Sequence, residues 1–565
     1  MSEKEFQNIL DNKFRLPIEH LEDTKTVPLS LARDLELTDI SNNLYNYLLS
    51  NHNTVFGDKT KLLWTNSYSA NKNYIEDTQT LLSKSLKPFD SSFNDMKNLW
   101  NDIHIETGFH EKYHFIEWDY FKQLNYSAVF MQGASLYNMS SPIFSLTLPI
   151  FFLIVPFFML RLQGKSVSVS EYYSVLKMII EKHQIGQLFS ISSATWDKRI
   201  YIIISLVLYL FQIYQNISAC IRFYNNMTYI HKQIFTVRDF ANDTIERIDD
   251  YIINSKKLKT YKKFVKTIVY HRDILESIRD ELSCITPYKF NLAKINNIGY
   301  IMSCFYQIYQ CPHIRNTLEF SILFQGYCDN ISSIQYNIKS KSIQYCKIKK
   351  NSPCKFTEAY FPSIKHTKPI KNTYTLDKNI LITGPNAAGK TTLLKTTLYN
   401  ILLSQQIGCG YFKKAVINPY DYIHCYINIP DTSGRDSLFQ AEARRCKDIL
   451  DEICNNSNKR HFCIFDELYS GTNPYEAVAS AYAYLKYLNN NKNVTYIITT
   501  HYLDLCKNLE DDENNKNYNM KILGSKNNLT YTYKLTEGIS NIRGGTKVLY
   551  DLEYPQEILC NTNKF

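Results

Sequence analysis

The sequence predicts an α + α/β chain: a long-helix region holding a hydrophobic hairpin, followed by a C-terminal α/β domain on a mainly parallel sheet. Three observations carry this. Gly (17) and Pro (16) are scarce in 565 residues, and neither occurs between Gly186 and Pro287, which favours long uninterrupted helices. Two charge-free runs lie in the middle of the chain. From about Tyr360 short β-rich runs alternate with helical ones, the texture of a parallel sheet covered by helices.

Taken in order, residues 1–30 read as a polar leader, too polar at MSEKEFQNILDNK for a secretory signal. Residues 31–125 form a helical core with short polar breaks, and 126–225 form the hairpin. No charged residue occurs between Lys122 and Arg161, and the core of that stretch, 143–160, is IFSLTLPIFFLIVPFFML. Its thirteen Ile, Leu, Phe and Val residues contribute about −4 to −8 kcal/mol of membrane insertion. Pro149 and Pro156 are tolerated in such spans. The second run, Ile200–Ile221, has 22 residues without a charge, against the ~20 that a membrane-spanning helix needs. A membrane hairpin is the favoured reading, and a pair of buried core helices is the alternative. Residues 226–355 continue as long helix: Ile245, Ile248, Ile252, Tyr261, Phe264, Ile268, Leu275, Ile278 and Leu282 keep a 3–4 residue spacing, one buried stripe.

Composition narrows the function. The chain is 44% hydrophobic and 21% charged, which excludes a mainly disordered protein. Fourteen cysteines without a CxxC pair point to reduced intracellular thiols rather than a disulfide scaffold or zinc ribbon. Residues 251–350 hold sixteen Lys/Arg against six Asp/Glu, an excess equal to the whole-chain net charge of +10. Such a block suits duplex DNA or an anionic membrane surface, or is a solvated helix face. The polar patch Asp511–Asn517 reads as a surface loop.

The chemistry concentrates in 356–565. Strand NILIT (379–383) runs into Gly384, Pro385, Asn386, Ala387, Ala388, Gly389, Lys390, Thr391 and Thr392, a GxxxxGK[ST] phosphate loop with a strand before it and a helical run after. Its glycines let backbone N–H groups wrap phosphates at a helix N-terminus. Lys390 reaches the β- and γ-phosphates of ATP, and Thr391 is a ligand for Mg²⁺. Strand FCIF (462–465) ends in Asp466 and Glu467: Asp466 stands beside the metal, and Glu467 polarises the attacking water. Strand VTYIIT (494–499) leads to Thr500 and His501, a histidine placed to sense or position the γ-phosphate. A fourth β run is LTYTYK (529–534).

These residues resemble the MutS family of ATPases. The likeness lies in GPNAAGKTT, in Gly408-Cys409-Gly410-Tyr411-Phe412, and in Ser437-Leu438-Phe439-Gln440-Ala441-Glu442 preceded by Ser433-Gly434-Arg435-Asp436. It continues in Asp466-Glu467-Leu468-Tyr469-Ser470-Gly471-Thr472, Thr500-His501-Tyr502 and Tyr533–Gly538. A weaker likeness covers Thr54-Val55-Phe56-Gly57 with Leu62-Leu63-Trp64, similar to the entry of that family's lever domain. The resemblance implies an ABC-class P-loop ATPase domain after a helical lever, using ATP and Mg²⁺ in a homodimer with two composite sites. Ser437 would act on the γ-phosphate bound by the partner's Lys390 site, and Asn386 would lie near the γ-phosphate. It implies ATP-dependent DNA binding of the repair or recombination type. Phe6 and Phe14 lack a glutamate two residues on, so no mismatch reading by an aromatic wedge is expected, and the hairpin stands where the family inserts its DNA clamp. The alternative function is a membrane-anchored mechanical ATPase with its ATPase domain in the cytosol.

Overall fold

The structure, a computed structural model of the chain, describes residues 14–38, 43–49, 55–86, 95, 96, 98–100, 108–164, 168–182, 195–287, 295–362, 369–427, 429, 437–524, 530–540, 549, 552–555, 557 and 558. Its longer helices are α1 (Lys72–Leu82), α2 (Ala128–Leu162), α3 (Val169–Lys182), α4 (Trp196–Ser255), α5 (Lys262–Ser283), α6 (Ile298–Gln310), α7 (Pro312–Lys339), α8 (Lys390–Ile407), α9 (Leu438–Asn455) and α10 (Pro474–Asn489). Its strands are β1 (Thr24–Thr26), β2 (Ser67–Ser69), β3 (Gln344–Ile348), β4 (Cys354–Ala359), β5 (Asn372–Leu376), β6 (Asn379–Thr383), β7 (Cys409–Gly410), β8 (Lys414–Ile417), β9 (Tyr422–Tyr426), β10 (His461–Asp466), β11 (Val494–Thr500), β12 (Asn515–Leu523) and β13 (Thr530–Glu537). Packing divides the chain into two units, one made of 90–245 and 273–318, the other of 2–89, 246–272 and 319–565.

In the second unit the main sheet has the order β13-β12-β6-β11-β10-β9. All its pairings are parallel except β12 with β13. The central strands β6 and β10 are apolar along nearly their whole length and buried on both faces, as parallel strands between helices must be. A further sheet has the order β5-β4-β8-β3-β7. Helix α8 is buried along almost its entire length, and its polar residues are satisfied by segments far away in sequence. Gln405 donates to the carbonyls of Ser69 and Tyr420, and Gln406 to those of Trp64 and Ser67. Gln406 also accepts from the Tyr45 hydroxyl. From α1, Gln79 donates to the carbonyls of Cys346 and Gly408.

Residues 14–30, read as part of a polar leader, pack instead. Phe14, Leu16 and Ile18 are buried, and Phe14 meets Phe264, Phe320 and Tyr327 at ring separations of 5.2–6.1 Å. Trp64 stacks on Tyr327. Beside this cluster Arg247 pairs with Asp329 and donates to Gln325, all three buried. Gly326 of α7 lies so close to the helix Val55–Lys61 that a Cβ there would stand 2.2 Å from the Phe56 carbonyl oxygen.

The expected single long helix is broken. Chain runs as α4 to Ser255, turns through a 3₁₀ segment at Lys259–Tyr261, and resumes as α5. No Gly or Pro marks the break. Asp77 of α1 makes it, accepting from both the backbone N–H and the hydroxyl of Thr260, a cap supplied from far away in sequence. The apolar stripe itself is buried as expected, Ile252 only partly. Asn515–Asn517, expected in a surface loop, begin β12: Asn515 is buried, accepts from the Tyr496 hydroxyl and donates to the Leu509 carbonyl.

In the first unit α6 crosses the start of α2, with Gln132 donating to the Ile295 carbonyl and accepting from the Gly299 N–H. Phe109, Tyr113, Phe115, Phe305 and Tyr309 form its aromatic core. The charge-free runs lie in α2 and α4, and α2 passes through Pro142, Pro149 and Pro156 without a break. Thr54 and Ser433–Asp436 lie outside the described residues.

Candidate functional site

Three adjacent parallel strands deliver the predicted residues to one edge. Thr383 at the end of β6 is opposite Thr500 of β11, and Thr499 of β11 is opposite Asp466 of β10. The loop 384–389, Asp466–Glu467 and His501 therefore emerge side by side at the carboxyl ends of the strands, where open α/β sheets bind ligands. The loop needs left-handed backbone at Gly389 (φ 93°), and Ala387 (φ 62°) adopts it despite its side chain. Asn386 and Ala387 stand exposed at its crest, while Ala388 and Lys390 are buried.

Lys390 turns its ammonium back over the loop and donates to the carbonyls of Gly384 (2.8 Å) and Pro385 (3.2 Å). Its Nζ lies 3.2 Å from His501 Nε2 and 3.7 Å from Glu467 Oε1. Burial pushes the lysine pKa down, against the pull of Glu467 and Asp466. Glu467 Oε1 and His501 Nε2 are 2.6 Å apart, and this hydrogen bond, with Lys390 behind it, holds the Glu467 carboxyl below its ordinary range. Glu467 itself sits in left-handed backbone at φ 54°, the kind of strain that positions a functional side chain. Thr391 donates to Asp466 (2.7 Å), which also accepts from Thr499.

These residues fit a nucleotide with its metal. Helix α8 begins with neither a side-chain cap nor an acid in its first turn, so its amino end is available to an anion. Thr391 and Asp466 offer adjacent hard oxygen ligands, the usual protein share of a Mg²⁺ shell completed by phosphate and water. Among the described residues no cluster of three His, Cys, Asp or Glu offers a fuller metal cage. The cavity has a volume of about 870 Å³ and is lined by the loop 385–389, Lys390, Thr391, Thr392 and Glu467, ample for a mononucleotide.

Sequence reasoning missed part of this site. Phe361, Ile370, Tyr531 and Tyr533 also line the cavity. Between Tyr531 and Lys534 the pairing with β12 shifts register and Tyr533 takes left-handed backbone (φ 54°), the mark of a bulge, and Tyr533 approaches so closely that a Cβ at Gly389 would lie 3.1 Å from its ring. Glu442 was noted only as part of a motif. It is buried, and its carboxylate accepts from the Ser470 N–H (3.1 Å), the Ser470 hydroxyl (2.9 Å) and the Gly471 N–H (3.0 Å). It thereby ties α9 to the loop that follows Glu467.

Ser437 is not brought to this cavity. It is the exposed N-cap of α9: its hydroxyl accepts from the Gln440 N–H, and its own N–H donates to the Gln440 side chain, a complete capping box. Of the basic block, Lys256, Lys257 and Lys259 in the turn after α4 and Lys262, Lys263 and Lys266 in the first turns of α5 are exposed, and Lys263 pairs with Glu22. Arg272 pairs with Asp249, and Arg279 with Glu276 and Asp280. Lys289 and Lys294 lie outside the described residues.

Residues 380–565 match the family model described as MutS domain V. Over 229 residues the chain is 29% identical to a DNA mismatch repair protein MutS of Persephonella marina, covering 40% of this chain and 26% of that protein. Proteins of the same name from Parabacteroides distasonis (33% over 189 residues) and Orientia tsutsugamushi (33% over 201) match 33% and 34% of this chain. They are matched over 21% and 22% of their own length. The chain thus aligns with about a quarter of these curated relatives or less.

Proposed function

We propose that this chain, which belongs to the MutS family through its domain V, is a Mg²⁺-dependent ATPase. In this reading it works as a homodimer with shared ATP sites and uses nucleotide state to control a grip on duplex DNA, in the manner of repair or recombination. The observation that carries the ATPase reading is one hydrogen-bonded cluster at the strand ends: Lys390, Thr391 and Glu467 line the cavity, Asp466 is bonded to Thr391, and His501 is bonded to Glu467 and lies 3.2 Å from Lys390. When bound, Mg·ATP supplies the electrophilic phosphorus and the charge of the metal. Loop N–H groups and Lys390 hold the phosphates. Thr391 and Asp466 hold the metal. Glu467, fixed by His501, accepts the proton of the attacking water, and Phe361, Tyr531 and Tyr533 offer aromatic surface to the base. Ser437, exposed at the start of α9, presents a hydroxyl and a helix N-terminus to the site of the partner subunit. The six exposed lysines from Lys256 to Lys266 support the DNA reading, because clustered lysines gain affinity by releasing counterions from phosphates.

The test separates binding from turnover. Lys390→Ala removes nucleotide affinity, because the lysine meets phosphates in the ground state. Glu467→Gln keeps nucleotide binding and loses kcat. Equal loss of binding in both variants would overturn the assignment. A second reading, attachment to a membrane, is favoured by the solvent exposure of the apolar runs and is developed next.

A further inference from the structure

We propose that α2 and α4 hold the chain in a lipid bilayer, with Ile200–Ile221 crossing the hydrocarbon core and the apolar part of α2, 143–160, forming a second membrane segment. At 1.5 Å per residue these stretches are ~33 Å and ~27 Å long, against a core of ~30 Å. Length alone fits a buried helix equally well, so exposure decides. The most apolar 18-residue window of α4 is only 6% buried. Ile200, Ile204, Val207, Leu208, Phe211 and Ile221 are each more than half exposed.

The distribution of that exposure selects the occupant. With 100° of turn per residue, the exposed apolar positions from Ile200 to Ile221 cover about 200° of the helix circumference. A partner helix or a second copy of the chain covers an apolar stripe of about 100°. A liquid hydrocarbon phase contacts the wider arc with nothing left over. In α2, Phe151, Ile154, Val155, Phe158, Met159 and Leu162 are likewise exposed.

The ends of the α4 run have the composition of the lipid headgroup region. Arg199 and Arg222 bound it. At one end Trp196 is exposed with the Arg199 guanidinium 5.5 Å from its ring centroid, and at the other Tyr224 is half exposed. Tryptophan and tyrosine gather at membrane–water boundaries because they join an apolar ring to a polar edge. The unbroken course of α2 through its prolines is also ordinary for a membrane helix.

The experiment uses the full chain and vesicles of phosphatidylcholine alone, so that lysines gain nothing from anionic headgroups. The protein is expected to float with the vesicles in 1 M salt and to resist extraction by alkaline carbonate. Leu208→Arg places a charge near the middle of the run and should shift the insertion equilibrium by about 70- to 400-fold. Nucleotide binding at the Lys390 site reports whether that variant is folded. Should it fail to fold, Leu210→Cys serves in an otherwise native chain: the thiol should resist a membrane-impermeant maleimide in vesicles and react once detergent is added, read site by site by mass spectrometry. Recovery as a soluble protein without detergent overturns the proposal. So does binding confined to anionic vesicles and reversed by salt, a detergent-free oligomer that shields Leu210→Cys, or free labelling of that thiol in vesicles.

Discussion

Replacing Glu442 by glutamine tests whether the buried carboxylate organises the loop that follows Asp466 and Glu467. The substitution keeps the size of the side chain and one of its oxygens, so Ser470 can retain its acceptor. The other oxygen, which accepts from the Gly471 N–H at 3.0 Å, becomes an amide that only donates, and two donors then face each other in a site 2% exposed. A hydrogen bond to a charged acceptor is worth about 1.5–3 kcal/mol, and an unsatisfied buried N–H costs a similar amount. At a factor of ten per 1.4 kcal/mol, amide exchange at Gly471 should accelerate about 10- to 150-fold if it occurs by local opening. Hydrogen exchange read by mass spectrometry on peptides covering 467–473 measures this. Exchange in the peptide holding Lys390 should stay within about twofold, because α8 keeps all its partners. Under the proposed function kcat should fall while KM for ATP stays nearly constant, since only the loop after Glu467 is loosened. Unchanged exchange at Gly471, or a KM that rises as kcat falls, would refute the reasoning.

Under the proposed function, Ser437→Ala and Lys390→Ala homodimers should each be nearly inactive, whereas mixed dimers should regain about half of wild-type turnover, because both lesions would fall in one composite site; a cap alone would cost only ~1 kcal/mol. Failure of mixing to restore activity while subunits exchange sinks the trans role of Ser437. Gly326→Ala drives a methyl to 2.2 Å from backbone and should destabilise the protein by about 1–3 kcal/mol, seen as a lower Tm. His424 and His461 form a buried pair at 3.0 Å, with burial pushing His424 down to about 3 and lowering His461. Unfolded histidines take up protons near pH 6.5, whereas folded His424 refuses them until about 3. Stability is therefore complete above about pH 6.5 and falls as pH drops toward 3, by up to about 1.4 kcal/mol per pH unit for His424. Urea midpoints at pH 7.5 and 5.5 should diverge more in wild type than in His424→Gln, and equal slopes would count against the pair.

The sheet edge that carries the candidate site was legible because its signals are local. NILIT, FCIF and VTYIIT fall inside β6, β10 and β11, and the strand-then-loop order alone places Gly384–Thr392, Asp466–Glu467 and His501 at strand ends. What escaped reading depends on distant partners. The break after Ser255 is made by Asp77, and nothing in the surrounding lysines announces it. Asn515 looks like loop until the Tyr496 hydroxyl gives it a buried partner. Glu442 is one acid on an amphipathic helix, and only the fold brings the Ser470 and Gly471 amides to it. Gln405 and Gln406 are polar residues at the end of α8, yet they are buried because strands and turns from the first hundred residues surround them.

Those two glutamines bear on how a domain of this build can be inherited or engineered. Their acceptors at Trp64, Ser67 and Ser69, together with Gln79 reaching Gly408, make the amino-terminal segment a wall of the same body that holds the phosphate loop. An excised 356–565 fragment would expose the flank of α8 and strip Gln406 of its Tyr45, Trp64 and Ser67 partners, leaving Gln405 only Tyr420. The domain is therefore not a cassette that recombination could move alone. Residues 14–86, 246–272 and 319–565 must travel together, and a substitution at Gln79 or Tyr45 counts as a change to the body that holds the phosphate loop although more than three hundred positions separate it from Lys390.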